Sequence, residues 1–181
     1  MSAPAKREEP GAPVSLTLPE FMAQALAMER EAVDRYNEFA DSLETHNNHE
    51  VAKLFRTMAG YESKHAERIM AEMGWTEAPP PPRAVQFGPG MDDPETLPFD
   101  EVHYLMQPWH ALQLALTAEK RAQAFFAVLA RMSTSEPVRR AATELQAEEA
   151  EHVALIQDWL QKVPPPDPDW AIDPDPPRYN D

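Results

Sequence analysis

Apolar residues recur at helical spacing in four blocks of the chain, and polar punctuation separates the blocks. The first block opens at Thr17-Leu18-Pro19-Glu20, a capping box with Pro in its first turn, and runs to about Leu43. His46-Asn47-Asn48-His49 reads as a turn in which Asn48 caps a second helix from about Glu50 to Met73, and Gly74 suits that helix's end. Between Trp75 and about Pro98 the periodicity collapses into Pro79 to Pro82, Gly88-Pro89-Gly90 and Asp92-Asp93-Pro94. Asp100 is placed to cap a short helical piece. Pro108 opens a third helix that runs to about Met132, and Ser133-Thr134-Ser135 is the next turn. Ser135 is expected to cap a fourth helix ending near Lys162.

These lengths predict an all-α four-helix bundle made of two hairpins. A turn of three or four residues joins antiparallel neighbours, whereas a linker over 75–107 can run the whole length of a bundle. The expected organisation is a flexible tail over 1–15, a bundle over 16–162 containing that crossover, and an acidic proline-rich tail over 163–181. Pro164, Pro165, Pro166, Pro168, Pro174, Pro176 and Pro177 exclude a fifth helix there. Trp170, Ile172 and Tyr179 are the residues that could dock this tail on the body.

The two hairpins repeat one design. Glu29-Arg30-Glu31-Ala32-Val33-Asp34-Arg35-Tyr36 and Glu119-Lys120-Arg121-Ala122-Gln123-Ala124-Phe125-Phe126 both read Glu-x-x-Ala-x-x-x-aromatic. Each is followed at a similar interval by Glu-x-x-His: Glu62 with His65, and Glu149 with His152. Residues three apart share a helix face, so each Glu and its His can hold one ion together.

The registers turn these acids inward. Met22, Ala25, Leu26, Ala32, Val33, Tyr36 and Ala40 lie within about 60° of Glu29 at 3.6 residues per turn. Glu62 shares its face with Phe55, Met58, Ala59, Ala66 and Ile69. Glu119 lies with Leu112, Ala115, Leu116, Ala122 and Phe126, and Glu149 with Ala142, Leu145, Val153, Ile156 and Leu160. Four carboxylates therefore point into one core, where unpaired charge is very costly. No Lys or Arg stands on these stripes to pair with them, and protonating all four at once is improbable. Two divalent cations would match four negative charges, and Ala residues beside the acids leave them room. A ligand set of O and N without sulfur suits iron or manganese, and zinc fits it too.

The remaining composition narrows the partners. Cys is absent from the 181 residues, which excludes disulfides, thiolate zinc and four-Cys iron sites. The net charge of −15 argues against nucleic acid. No early apolar run follows a basic start and no 18-residue apolar stretch occurs, so the expectation is a soluble cytoplasmic protein without a membrane span. His46 and His49 read as turn residues. His110 stands half a turn away from Glu119, too far round to join it. Glu31, Glu148 and Glu151 read as solvated faces, and Met22 and Met58 as core filler.

The paired Glu-x-x-His sets, each with a Glu on the preceding helix, resemble the ferritin-like superfamily, especially its rubrerythrin and bacterioferritin branches. The ligand combination matches the one known for ferritin-like di-iron bundles. The resemblance covers roughly residues 18–73 and 108–162. It implies Glu29 and Glu119 as terminal carboxylates, Glu62 and Glu149 as bridging carboxylates, His65 and His152 as nitrogen ligands, and Tyr36 as a catalytic neighbour of the site. It also implies two iron ions, reaction with H2O2 or O2, an external electron donor and a homodimer or larger assembly. There are departures. Ala122 stands where rubrerythrins commonly have a further Glu, no Cys-rich rubredoxin domain is present, and Ser63 replaces the haem-binding Met of bacterioferritin. The resemblance thus implies a rubrerythrin-like di-iron peroxidase or ferroxidase. The alternatives are an iron-storage or iron-handling protein, possibly the cargo of a compartment, and a non-enzymatic metal-stabilised bundle with a partner-binding tail.

Overall fold

The structure, a computed structural model, describes residues 15–82 and 103–172. Four helices make up its body: α1 (Leu18–Thr45), α2 (His49–Met73), α3 (Pro108–Met132) and α4 (Glu136–Lys162). α1 packs along α2 and α3 along α4, giving two antiparallel hairpins. The expected tail over 1–15, the Asp100 helical piece and Tyr179 fall outside the described residues, apart from Ser15.

The helix ends follow from local chemistry. Thr17 Oγ1 accepts from the Glu20 amide at 3.4 Å, and Glu20 Oε2 accepts from the Thr17 amide at 2.8 Å, which closes the capping box. α1 ends with Asn47 at φ 60°, a left-handed conformation that Asn tolerates better than most side chains. The Asn48 and Asn47 amides then donate to Leu43 O and Glu44 O. α2 ends the same way with Gly74 at φ 66°, where the Trp75 and Gly74 amides reach Met70 O and Ala71 O. Asn48 does more than cap. Its side chain accepts from the Val51 amide at 3.4 Å, and its Nδ2 donates to Met106 O at 2.6 Å, tying the α1–α2 turn to the segment entering α3.

Ser135 departs from expectation. It occupies the cap position of α4, but its hydroxyl makes no cap bond. Pro137 removes one of the amides that such a hydroxyl would receive. Ser133 takes over part of the role, with its hydroxyl accepting from the Ser135 amide at 3.2 Å and its carbonyl accepting from Arg139 Nη1 at 2.9 Å.

The buried apolar residues form two clusters, one at each end of the bundle. One gathers Tyr36, Phe39 and Leu43 of α1 with Val51, Phe55 and Met58 of α2, Leu112 of α3 and Ile156 of α4. The other gathers Phe21, Leu26, Ile69, Phe126, Leu129, Val138 and Leu145. α3 therefore starts at the end where α2 starts, and the two run parallel. Trp75 packs at one end of the body and Met106 at the other, and most of the expected crossover between them falls outside the described residues. Aromatic edges knit both clusters: Phe39 against Phe55 with centroids 5.3 Å apart, and Phe21 of α1 against Phe126 of α3 at 6.2 Å. Val33 deviates from its expected core place. It is half-buried and opens on an outer groove between α1 and α2, beside Ala66 and Met70.

After α4 the chain folds back as far as Trp170. The Trp170 ring lies 3.9 Å from that of His110, and the side chains of Gln107 and Asp167 hold the two segments together. Ile172 does not dock; it is 68% exposed. Leu43 is fully buried where α1, α2 and the entry to α3 meet. Leu43→Ala should therefore cost about 2–5 kcal/mol, read as a lowered denaturation midpoint with an unchanged slope.

Candidate metal centre

Between the two apolar clusters lies a layer of polar residues, and it is almost dry. Glu29, Glu62, Glu119 and Glu149 are each 2–4% exposed and His152 is 8% exposed. His65 is slightly more open, with its side chain 15% exposed. Each helix contributes at mid-length, where a carboxylate cannot reach solvent at either bundle end.

The structure brings all six of the singled-out Glu and His residues together. The imidazoles of His65 and His152 stack face to face, with centroids 4.7 Å apart and planes 5° from parallel. His152 Nδ1 is 3.1 Å from Glu119 Oε2, 3.5 Å from Glu62 Oε1 and 3.9 Å from Glu149 Oε2. His65 Nδ1 is 3.8 Å from Glu29 Oε2. Potential ligand atoms converge within 4.8 Å in three overlapping trios: Glu62 with His65 and His152, Glu29 with His65 and Glu149, and Glu119 with Glu149 and His152. Among the described residues, every such trio draws on these six side chains.

Two buried ligand-type atoms, Glu62 Oε1 and His65 Nδ1, have no hydrogen-bond partner. Orphaned polar atoms are rare in protein interiors and need a physical reason. A cation between them supplies one, because it bonds both lone pairs. The donor chemistry agrees, since carboxylate and imidazole without sulfur suit first-row divalent metals.

The acids do not share one protonation state. Burial, reinforced by the neighbouring Glu119 and Glu29 carboxylates, pushes Glu62 well above the usual carboxylate range. Burial also pushes Glu119 upward, but hydrogen bonds with His152, Glu149 and Tyr36 prevail and hold it below the usual value. Of the two, Glu62 therefore holds a proton the more readily. Burial, followed by the charge of His152, lowers His65 and keeps its imidazole neutral, the form that binds metal.

Tyr36 touches the cluster directly. Its hydroxyl donates to Glu119 Oε1 at 3.1 Å, and its ring stacks on Phe55. A cavity of about 20 Å³ opens beside this bond, with space for roughly one water-sized molecule. Tyr36, Glu62, Glu119 and Glu149 line it, and Ala32, Ala118 and Ala122 leave the space.

Arg35 also lines this cavity, and the helical registers did not single it out. It stands about 120° round α1 from Glu29, off the apolar stripe, and its long stem brings it back over the edge. Its guanidinium pairs at 2.9 Å with Glu31, which is exposed as expected, and Arg68 pairs with Glu148, which is half-buried where a solvated face was expected. The only sequence signal for Arg35 was its place next to Tyr36. His46, His103 and His110 lie at the bundle end among Tyr104 and Trp170, away from the six.

Glu62 also fixes how the metal-free protein responds to pH. Its folded-state pKa lies above its unfolded one, so the stability it contributes is full below the unfolded value and is lost as pH rises through the folded value. In metal-free protein, Tm should fall as pH climbs past the ordinary carboxylate value of 4.5. Glu62→Gln should flatten that fall, gaining on the order of 1 kcal/mol or more on the alkaline side, and a divalent metal should reverse the order by stabilising the wild type, which alone keeps the full ligand set. Thermal melts of both proteins across the pH range check this.

Comparison with known proteins agrees with the geometry. A family model described as Rubrerythrin matches residues 20–80, which include most of α1 and all of α2. The crystal structure of an uncharacterised conserved protein from Magnetospirillum magnetotacticum superposes with a TM-score of 0.64 at 37% identity, covering 84% of this chain and 99% of that one. No curated protein gives a significant match. With its first hairpin matched by the rubrerythrin model and its whole bundle matched by a close structural relative, the chain belongs to the rubrerythrin-like branch of the ferritin-like superfamily.

Proposed function

We propose that this protein is a di-iron oxidoreductase in which reduced iron reacts with H2O2 or O2. The observation that carries the reading is the buried layer of four carboxylates and two imidazoles, in which Glu62 Oε1 and His65 Nδ1 have no hydrogen-bond partner and Glu62 lines a cavity of one water's size.

The overlap of the trios supports a division of labour among the ligands. Glu149 is common to the trio holding Glu29 and His65 and to the trio holding Glu119 and His152. Glu62 lies with both imidazoles. Glu149 and Glu62 would therefore bridge, while Glu29 with His65 and Glu119 with His152 would each complete one metal position. Two iron ions held there supply two electrons at one place, the number needed to reduce peroxide to water. Manganese or zinc could occupy the same donors.

The chain's own residues do the rest. The cavity's size excludes an organic substrate and admits a small oxidant. The Tyr36 hydroxyl holds Glu119 in one orientation and keeps a proton at the cavity wall. The two apolar clusters cover the site toward both bundle ends. The 181 residues include no Cys, so the electron donor in this reading is external.

Metal analysis of wild-type protein alongside Glu62→Ala and Glu149→Ala tests this. The expectation is about two irons per wild-type chain and loss in both variants, with far-UV circular dichroism showing that the helices persist. Anaerobically reduced, iron-loaded protein should react with H2O2 or O2 at least about tenfold faster than free Fe(II). Reaction with neither oxidant would end the redox reading, and retention of many irons per chain would point to storage instead.

A further inference from the structure

We propose that His110 is a pH-sensitive latch for the segment after α4: as a neutral ring it holds that segment on the bundle end through Trp170, and once protonated it lets the segment go.

The two anchors of the returning chain converge on one short stretch. The Trp170 ring lies 3.9 Å from the His110 ring at a tilt of 38°, and it meets the His103 ring edge-on at 5.3 Å. Three residues before His110, the Gln107 side chain is bonded twice to Asp167. Its Nε2 donates to Asp167 Oδ2 at 2.9 Å, and its Oε1 accepts from the Asp167 amide at 3.0 Å. His110 and Gln107 are themselves joined, because His110 Nδ1 accepts from the Gln107 amide at 3.1 Å. A ring nitrogen that accepts carries no hydrogen, so the latch closes on the neutral tautomer protonated at Nε2.

A second proton sets Nδ1–H against the Gln107 N–H, two donors where one bond stood. It also places a positive charge in the first turn of α3, where the helix dipole is already positive. The ring must swing away, and Trp170 and Gln107 lose their common support. Two attractions oppose this. One is that of an imidazolium for the Trp170 face, and the other is that of the tail acids Asp167 and Asp169. Both acids are exposed, so solvent screens their pull, and both attractions act only on a ring that stays in place. The other titratable side chains on the neighbouring segments are His103 and Tyr104 before α3, and Asp158 and Lys162, which pair with each other at the end of α4. Burial holds His110 below the ordinary histidine range and prevails over the opposite pull of the Gln107 backbone. The docked form thus takes up a proton less readily than the released form. Docking is full above the ordinary histidine value of 6.5 and is lost as pH falls below it.

The test uses the full chain. Because the sequence has no Cys, Ile172→Cys supplies a single labelling site, and Ile172 is 68% exposed and undocked. A pH-insensitive fluorophore is attached there, and its anisotropy is followed from about pH 8 to about pH 5. In the otherwise wild-type protein the anisotropy should drop reversibly with a midpoint below 6.5, while far-UV circular dichroism shows the helices intact. His110→Gln keeps an acceptor for the Gln107 amide, as Gln does three residues into a capping box, but does not titrate. In that variant the anisotropy should stay high throughout. His103→Gln and Asp167→Asn should both retain the drop. A drop that survives in His110→Gln would overturn the inference, as would a constant anisotropy in the wild-type background. Low anisotropy in His110→Gln already at pH 8 would overturn it too, because the ring would then be a packing element and not a latch.

Discussion

Burying four carboxylates in the middle of a helical bundle is the constraint to which everything else here conforms. Each acid taken from water without a partner costs several kcal/mol. Glu29, Glu62, Glu119 and Glu149 are nonetheless all nearly inaccessible. The protein meets the cost in stages. Tyr36 and His152 bond to Glu119 and favour its charged form, burial favours the neutral form of Glu62, and what remains is a set of lone pairs that a pair of cations would satisfy. The fold lets this layer exist by concentrating its apolar packing elsewhere. The clusters above and below it close around Phe39, Phe55 and Leu43 at one end and Phe21, Phe126 and Leu129 at the other. The stabilising core is split so that the middle can be polar.

Helix positions and the inward face of each helix were legible because both rest on short-range rules. Pro108 and Met132 bound α3 as the punctuation suggests, and Thr17, Asn48 and Gly74 end their helices by the bonds their side chains or φ angles allow. The register around each Glu was legible for the same reason, since 3.6 residues per turn decides which neighbours share a face. Features that depend on contacts between elements were not. Asn48 reaching Met106 O is a bond across 58 positions, and nothing in the turn itself announces it. Arg35 lines the cavity because its stem is long, a property that a register drawn through Cβ positions ignores. Ser135 failed as a cap for a local reason that could have been read, namely Pro137 inside the first turn.

The cavity gives the centre its scale. It exists because three alanines face it, and Ala122 occupies a place where the resembling rubrerythrins commonly have a carboxylate. A smaller side chain there does two things together: it opens room for one small molecule and removes a negative charge from the wall.

The bond from Tyr36 to Glu119 has a consequence that reaches beyond this site. The two hairpins follow one plan, so the position equivalent to Tyr36 in the second is Phe126, which has no hydroxyl to offer Glu29 in return. A symmetric pair of identical hairpins would be obliged to carry the same aromatic twice. Joining both hairpins in one chain lifts that obligation. Each half is free to drift, and the position that offers Glu119 a hydroxyl offers only a ring in the other hairpin.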